Sequence, residues 1–467
     1  MALISVHRST GLIPIIALVM FACGIVSAAE PPRERLLMDF GWRFHLGDAP
    51  DAGNKFDYPE VSDLTKTHVN EIGLEGALAT NVPDPVASNL GGDISFARTK
   101  FSDSGWRLLD LPHDWAVELP FDEKADVKHG FKPVGPGFPQ NSIGWYRRGF
   151  ELPASDKGRV LWLEFDGVYR NSLVWLNGHC LGRHLDGYSS FRYDLSRFAN
   201  YGGKNELAVR VDASRFEGWF YEGAGIYRHV WLEKTSPLAI APDGIFVWSE
   251  FENPGNAPGN WLIVRFRTKL HNAGRNGFSG RIGSEIICPD GKTIFKNEVG
   301  EAFSLEPSAD REFESGYNFV REGDPTPGIF YNGWNMAAYT PELWSPENPK
   351  LYKLVVTVMD QDKNNNVVDR KETEFGIRTV AFDATNGFLL NGRPYTIQGT
   401  CNHQDHAGVG TAMPDALQYY RVEKLKEMGC NAIRTSHNPP TPELLEACDR
   451  LGMLVMDENR RMDTNDY

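Results

Sequence analysis

Short apolar runs broken by Gly, Pro, Asn and Asp dominate the chain after its first 28 residues, and few windows have a helical period. This pattern is typical of β-strands. Asn177-Gly178 closes one of these runs and is a strong signal for a hairpin turn. Strands at this spacing predict a jelly-roll sandwich over residues 29–237, with a polar insertion at about 50–104. The clearest predicted strands are Trp145–Leu152, Val160–Phe165, Ser172–Leu176, Asn205–Val211 and His229–Leu232.

A second β segment covers residues 238–378, and its size suits an immunoglobulin-like sandwich. The Pro-rich stretch Pro341–Pro349 cannot form regular structure and comes before the last strands of this segment. The best strands are predicted at Ile245–Trp248, Trp261–Leu270, Gly280–Ile287 and Tyr352–Met359.

The pattern changes near Phe388, because strands now alternate with helices. An amphipathic helix is expected at Ala416–Met428, with apolar Leu417, Tyr420, Leu425 and Met428, and a second helix at Thr441–Leu451. The accompanying strands are predicted at Tyr395–Gly399, Ala432–Arg434 and Met453–Met456. Such βα units begin a (β/α)8 barrel or a doubly wound sheet. A barrel needs eight strands, so we expect residues 379–467 to be only the N-terminal part of that domain.

The N-terminus has the pattern of a secretory signal peptide. Arg8 precedes an apolar run from Leu12 to Val26, and Val26-Ser27-Ala28 forms a small-residue cleavage site. The run is shorter than the roughly 20 apolar residues that a membrane-spanning helix needs. We therefore expect residues 1–28 to be removed, export to the periplasm or the outside, and no membrane span in the mature chain.

Charge and missing motifs exclude several classes of function. Lys and Arg total 48 against 62 Asp and Glu, for a net charge of −14, which argues against a nucleic-acid partner and fits a neutral substrate better. The cysteines form no C-x-x-C pair, so neither a zinc site nor a disulfide framework is indicated. The chain has no G-x-S-x-G or Walker motif, and no G-x-G-x-x-G that follows a strand.

Polar side chains follow each of the three strands of the last segment, at residues 401–406, 434–439 and 457–459. Carboxyl ends of barrel strands share one face, where catalytic residues sit. Imidazoles, an arginine and carboxylates there suit a site that hydrogen-bonds a hydroxylated ligand. Two other interpretations stay open. His403 and His437 can be structural histidines, and Arg434 with Asp457-Glu458 can form ion pairs that brace the barrel.

A metal site and a carboxylate pair are both weakly supported in this region. His403, Asp405 and His406 are all residue types that bind metals. His403 and His406 are three apart in a loop, however, and no third ligand stands at a recognisable spacing from this pair, so no metal is predicted. Adjacent Asp457 and Glu458 would point in opposite directions on a continuing strand, which argues against a glycosidase pair.

Seven motifs recur in order from about residue 36 to the end, and with them the chain resembles glycoside hydrolase family 2, which includes bacterial β-galactosidases, β-glucuronidases and β-mannosidases. The resemblance implies a jelly-roll sugar-binding domain, an immunoglobulin-like domain and a TIM barrel, in that order. The motifs are Leu111–Trp115, Gly144–Arg148, Val174–Gly178, Gly223–Arg228, Leu343–Pro346, Gly387–Gly392 and Ile433–His437.

Residues 402–408 (NHQDHAG) look most like the β-galactosidase branch. The resemblance implies that His403 and His437 line the galactose subsite, with Asn402 and Arg434 beside them. It places both catalytic glutamates beyond Tyr467, so we expect no catalytic residue and no hydrolase activity in this chain. Residues 459–463 lack the Glu and His that some β-galactosidases use for magnesium, which leaves a divalent cation in the complete enzyme open.

The expected function is therefore that of an exported retaining β-galactosidase, acting on terminal non-reducing β-galactosides of oligosaccharides or glycans. Two alternatives remain: a non-catalytic carbohydrate-binding protein, and the same family with β-glucuronidase or β-mannosidase specificity. The sequence also leaves homo-oligomer formation open.

Overall fold

The structure is a computed structural model that describes residues 31–56, 85–217, 220–251, 261–320 and 336–459. The predicted signal peptide and the middle of the predicted insertion lie outside these ranges. The described residues from Pro32 onward belong to one compact unit. Within the described ranges, no helix has the length and apolar character needed to cross a membrane.

In its described residues, the first domain is a two-layer antiparallel sandwich with one short α-helix, α1 (Trp115–Glu118). One sheet has the order β1-β10-β5-β8 and the other the order β3-β2-β4-β9-β6-β7. Asn177 and Gly178 both have positive φ, 53° and 80°, and form the predicted hairpin turn between β6 and β7. The strands are β1 (Glu34–Leu37), β2 (Trp42–Leu46), β3 (Arg107–Leu109), β4 (Ile143–Leu152), β5 (Val160–Phe165), β6 (Ser172–Leu176), β7 (His179–His184), β8 (Phe191–Asp194), β9 (Gly203–Asp212) and β10 (Val230–Thr235).

Both faces of the larger sheet are covered. Adjacent side chains on a strand point to opposite faces, yet Trp145 and Tyr146 on β4 are both fully buried. Tyr146 belongs to the core between the two sheets. Trp145 packs on the other face, in a cluster with Phe56 and Phe96 from the two described flanks of the predicted insertion. These flanks therefore fold onto the sheet.

The second domain is also a sandwich, of two four-stranded sheets with the orders β11-β12-β15-β16 and β14-β13-β17-β18. Its core includes Val264, Ile286 and Val356, all fully buried. The strands are β11 (Leu238–Phe251), β12 (Trp261–Asn272), β13 (Phe278–Ile287), β14 (Thr293–Leu305), β15 (Asp310–Val320), β16 (Met336–Ala338), β17 (Tyr352–Asp360) and β18 (Asn366–Phe375).

The last segment begins with a small antiparallel sheet, β19 (Val380–Asp383), β20 (Gly387–Leu390) and β21 (Arg393–Pro394), and continues with three parallel strands in sequential order. Helix α2 lies between the first two parallel strands and α3 between the second and third, which is the arrangement that opens a (β/α)8 barrel. These elements are β22 (Gly399–Asn402), α2 (Asp415–Glu427), β23 (Ala432–Thr435), α3 (Pro442–Leu451) and β24 (Leu454–Met456).

The first parallel strand begins at Gly399, so the predicted strand Tyr395–Gly399 is wrong. The side chain of Asn431 accepts a hydrogen bond from Gln398 N at 2.8 Å and donates one to Thr396 O at 2.9 Å. These bonds occupy backbone groups that a strand would need for its ladder. Asn402 consequently ends β22 rather than following it.

The apolar side chains predicted for α2 do not share a buried face. Val422 is fully buried and packs with Ile433 and Ala447, and Leu425 contacts this cluster. Tyr420 and Met428 are exposed instead, at 50% and 65%. Only the side of α2 that packs against β23 and α3 is buried. Tyr420 and Met428 are exposed because the apolar residues of this segment lie on more than one side.

Candidate active site at the ends of the parallel strands

The register of the parallel strands brings the predicted polar segments to one edge. Asn402 at the end of β22 pairs with Thr435 at the end of β23, and Arg434 pairs with Met456 at the end of β24. Asp457 and Glu458 follow β24 directly. Carboxyl ends of parallel strands are where α/β proteins build their sites.

The two predicted histidines meet at this edge. The rings of His403 and His437 have centroids 5.4 Å apart and cross at 82°. Arg421 of α2 donates a 2.6 Å hydrogen bond to the carbonyl oxygen of His403, which fixes the backbone that carries this ring. The edge-to-face arrangement keeps the two imidazoles in a defined mutual orientation.

Glu458 links the other polar groups. Its carboxylate pairs with Arg434 and lies 3.1 Å from Nδ1 of His437, while its backbone N–H donates to the Thr435 hydroxyl at 3.1 Å. Nδ1 of His437 also lies 3.3 Å from Nη2 of Arg434, so its protonated form donates to Glu458 and its unprotonated form accepts from Arg434. Arg434 and Glu458 therefore do form an ion pair, which also orients His437.

Cys401 lies in the predicted polar segment 401–406, but the sequence analysis gave it no role in the site. Arg434 donates to its sulfur at 3.4 Å. This hydrogen bond and one from Ser436 lower the pKa of the exposed thiol below its usual value. Asn402, the neighbouring residue, accepts a 2.7 Å hydrogen bond from the Thr400 hydroxyl. The sequence pattern predicted a polar segment at 401–406 but gave no reason to single out the Cys401 thiol within it.

The jelly roll holds the loops that carry these residues. Buried Arg228 donates to Gln404 Oε1 at 3.2 Å and to Pro439 O at 2.7 Å, so it reaches the loops after β22 and β23 together. Asp114, the N-cap of α1, accepts hydrogen bonds from the backbone and hydroxyl of Thr411 at 3.1 and 3.3 Å. Burial raises the pKa of Asp114.

Three family models match the chain in domain order. They describe a sugar binding domain of glycosyl hydrolases family 2 at residues 125–236, a further domain of glycosyl hydrolases family 2 at 258–378, and the TIM barrel domain of the same family at 382–465. The chain belongs to glycoside hydrolase family 2. The predicted family and the predicted fold class are thereby confirmed.

Relatives of this family 2 chain carry two kinds of name. It is 38% identical over 433 residues to the β-galactosidase BoGH2A of Bacteroides ovatus, a match that covers 92% of this chain and 42% of that protein. It is 35% identical over 365 residues to a putative β-glucuronidase of Formosa agariphila, covering 78% of this chain and 31% of that one. The chain thus spans less than half the length of these relatives.

Solved structures of the family have the same architecture. A glycosyl hydrolase family 2 member from Bacteroides cellulosilyticus superimposes with a TM-score of 0.72 at 28% identity, covering 91% of this chain and 46% of that one. The β-glucuronidase 2 of Bacteroides uniformis, bound covalently to an aziridine, superimposes with a TM-score of 0.67 at 25% identity. This match covers 91% of the present chain and 42% of that one.

A second cluster of this family 2 chain lies where the jelly roll meets α2 and α3. His229 Nδ1 is 2.5 Å from Asp39, and its Nε2 is 2.8 Å from Asp415 and 3.8 Å from Glu443. Burial disfavours the charged ring, but Asp39 and the other carboxylates outweigh that effect and raise the pKa of His229 to about 9. A protonated His229 therefore joins the two domains at neutral pH.

The candidate metal ligands of the sequence do not come together. Among the described residues, the group of His, Cys, Asp or Glu whose ligand atoms all lie within 4.8 Å is His229, Asp415 and Glu443. His403 and His406 are not part of such a group, and His406 instead closes a turn with Gly410.

Proposed function

We propose that this family 2 chain is part of an exported β-galactosidase, which releases terminal non-reducing galactose from oligosaccharides or glycans with retention of configuration. The observation that supports the sugar site is the perpendicular pair of His403 and His437, 5.4 Å apart, at the carboxyl ends of β22 and β23. Two imidazoles held there offer hydrogen bonds to ring hydroxyls, as a non-reducing sugar subsite requires. Asn402 and Arg434 border the same subsite.

The charge of this edge favours a neutral sugar over a uronic acid. A glucuronate carboxylate needs a cationic partner when it is taken out of water. Arg434, the guanidinium beside the two histidines, is already paired with Glu458. A galactoside requires no such partner, which supports the β-galactosidase proposal over the β-glucuronidase alternative.

The chemistry of retention needs an acid/base and a nucleophile with carboxyl groups about 5 to 5.5 Å apart. The family resemblance assigns both to positions after Tyr467. Glu458 is engaged by Arg434 and His437, so it is not poised as a nucleophile. We propose that the 467-residue chain supplies the sugar subsite and does not hydrolyse glycosides by itself.

Two proteins test this proposal: the 467-residue chain and a chain extended by the downstream reading frame. Each is assayed on p-nitrophenyl β-D-galactopyranoside and on the β-D-glucuronide. We expect turnover only from the extended protein and at least tenfold higher kcat/KM on the galactoside. A preference for the glucuronide would establish the other specificity. An inactive extended protein that still binds galactose would establish a carbohydrate-binding protein. Turnover by the short chain that Glu458→Gln abolishes would make Glu458 catalytic.

A further inference from the structure

Four large apolar side chains are exposed on two neighbouring loops of the jelly roll. Three come from the segment between α1 and β4, and the fourth from the loop between β9 and β10. Their exposed fractions lie between 46% and 76%. Single exposed apolar residues are common, but a group of them marks a binding surface. We refer to this group as the apolar rim; its members are Phe121, Val127, Phe131 and Phe220.

Tyr221 connects the apolar rim to the candidate active site. Its ring packs between two glycines: a Cβ at Gly130 would lie 3.0 Å from Tyr221 Cδ2, and one at Gly410 would lie 3.2 Å from Tyr221 Cε1. The Cβ at Gly130 would also lie 3.5 Å from Cε2 of Phe220. Gly410 belongs to the loop after β22, which begins with His403. The rim therefore borders the loop that carries one of the two candidate sugar-binding histidines.

Phe131 has a backbone conformation that a phenylalanine disfavours. Its φ is 57°, in the left-handed region where a residue with a Cβ is strained. Two backbone hydrogen bonds hold it there: its N–H donates to Asp126 O at 3.1 Å, and its carbonyl accepts from Asp122 N at 2.9 Å. Glycine would relieve the strain and remove an exposed ring, so stability does not explain this phenylalanine. Strained residues of this kind cluster at functional sites.

The polar groups around the rim are engaged within its own loop. Lys132 Nζ donates to the carbonyl oxygen of Leu119 at 2.6 Å and lies 4.0 Å from the ring centroid of Phe121. Asp126 accepts a 2.8 Å hydrogen bond from the backbone N–H of Lys128. A second sugar would need donors and acceptors for its hydroxyls, whereas an apolar group needs only carbon surface. The rim thus suits an apolar ligand better than a sugar.

We infer that the apolar rim binds the aglycone of the substrate and makes the enzyme selective for β-galactosides of aromatic alcohols. This rests on the proposed function, which places the galactose ring at the strand ends. The group on the other side of the glycosidic bond then reaches the neighbouring rim, where aromatic side chains can pack against an aryl ring. Binding energy from this non-reacting part of the substrate raises kcat/KM.

Calorimetric titration of the 467-residue protein with two ligands separates the inference from the proposed function. Methyl β-D-galactopyranoside reports on the sugar subsite alone, and 2-naphthyl β-D-galactopyranoside reports on both sites. We expect the naphthyl ligand to bind about tenfold or more tightly, because its rings leave water. Equal affinities, or binding of neither ligand, would overturn the inference. Binding of the naphthyl ligand alone would support the rim and count against the proposed sugar subsite.

Phe131→Asn tests the rim itself, because asparagine tolerates the left-handed conformation and the loop should keep its fold. It should reduce the preference for the naphthyl ligand to about threefold or less and leave the affinity for the methyl galactoside within about twofold. Phe246→Ser, at a ring of the second domain that is 62% exposed, is the matched control and should change neither affinity. A preference that Phe131→Asn leaves unchanged would overturn the inference.

Hydrolysis by the extended protein gives a second test, with p-nitrophenyl β-D-galactopyranoside and lactose as substrates. Relative to wild type, Phe131→Asn and Phe220→Ser should each lower kcat/KM about tenfold on the aryl galactoside and less than about twofold on lactose. A rim that is instead a subunit interface would give variants with a changed mass in light scattering and equal losses on both substrates. That result would overturn the inference.

Discussion

The guanidinium of Arg228 in the jelly roll donates a 2.7 Å hydrogen bond to the carbonyl oxygen of Pro439, in the loop after strand β23. The same side chain reaches Gln404 after β22. One buried cation therefore positions both loops that carry the candidate sugar-binding histidines. The site of this family 2 chain depends on contacts between domains as well as on the barrel strands.

Replacing Arg228 with Ala should destabilise the protein and loosen both loops. Its bonds to carbonyl and amide oxygens are charge-assisted and buried, so we expect a loss of about 2–4 kcal/mol in the free energy of unfolding. Hydrogen exchange should become faster in residues 403–411 and 436–440. Arg450→Ala, at an exposed i,i+4 ion pair with Glu446, is the matched control and should cost less than about 1 kcal/mol. Equal exchange in both variants would contradict the positioning role.

Alanine substitutions at two glycines of the loop after β22 distinguish the cost of backbone strain from the cost of a steric clash. Gly408 and Gly410 both have positive φ, 88° and 62°, but only at Gly410 would a Cβ clash, 2.1 Å from Asp114 Oδ2. Gly408→Ala should cost about 1 kcal/mol for its backbone conformation. Gly410→Ala should cost about 1–3 kcal/mol more, because the loop must move away from the jelly roll. Urea unfolding of both variants measures the difference, and equal losses would rule out the clash.

His229 should make the contact between the jelly roll and the barrel segment sensitive to pH. Its pKa of about 9 in the folded protein is above the ordinary 6.5, so its stabilisation is complete below about pH 6.5 and is lost as the pH rises through 9. Allowing for partial solvent screening, we expect a loss of about 1–2 kcal/mol across this range. His229→Gln should flatten the profile in urea unfolding between pH 6 and 9.5. A profile that is the same in both proteins would exclude His229 as the cause.

In the complete enzyme, His403→Ala and His437→Ala should each lower kcat/KM on a β-galactoside by an amount equal to about 1–3 kcal/mol of transition-state binding. The physical reason is that a sugar hydroxyl in a closed site would be left unpaired. Folding should be largely retained, as circular dichroism can check. Variants that unfold, while the surviving fraction has normal kinetics, would assign both histidines a structural role only.

Export of the protein is also a prediction that can be measured directly. The apolar run from Leu12 to Val26 and the following Val26-Ser27-Ala28 predict cleavage by a signal peptidase. N-terminal sequencing of protein from the expressing cell should begin near Ala29 or Glu30. Recovery of an intact Met1 from the cytosolic fraction would refute export.

The sequence by itself determined the order of the folds and the edge at which the candidate site lies. Apolar alternation is a local property, so strands such as Val160–Phe165 and Ser172–Leu176 were predicted with their observed bounds. The last helix was predicted at Thr441–Leu451, and it begins one residue later, at Pro442, with Thr441 as its N-cap. Parallel strands end at a common edge, so the polar segments after them had to come together.

Only the tertiary structure decided which partners these residues have. The hydrogen bonds of Asn431 to residues 396 and 398 replace strand pairing there, so the first parallel strand begins at Gly399. The side of α2 that packs against Ile433 is the side that is buried. Arg228 and Pro439 are 211 positions apart in the chain. No local pattern encodes such a pairing, because it exists only when the folded jelly roll and the barrel segment bring a buried cation and a loop carbonyl within hydrogen-bonding distance.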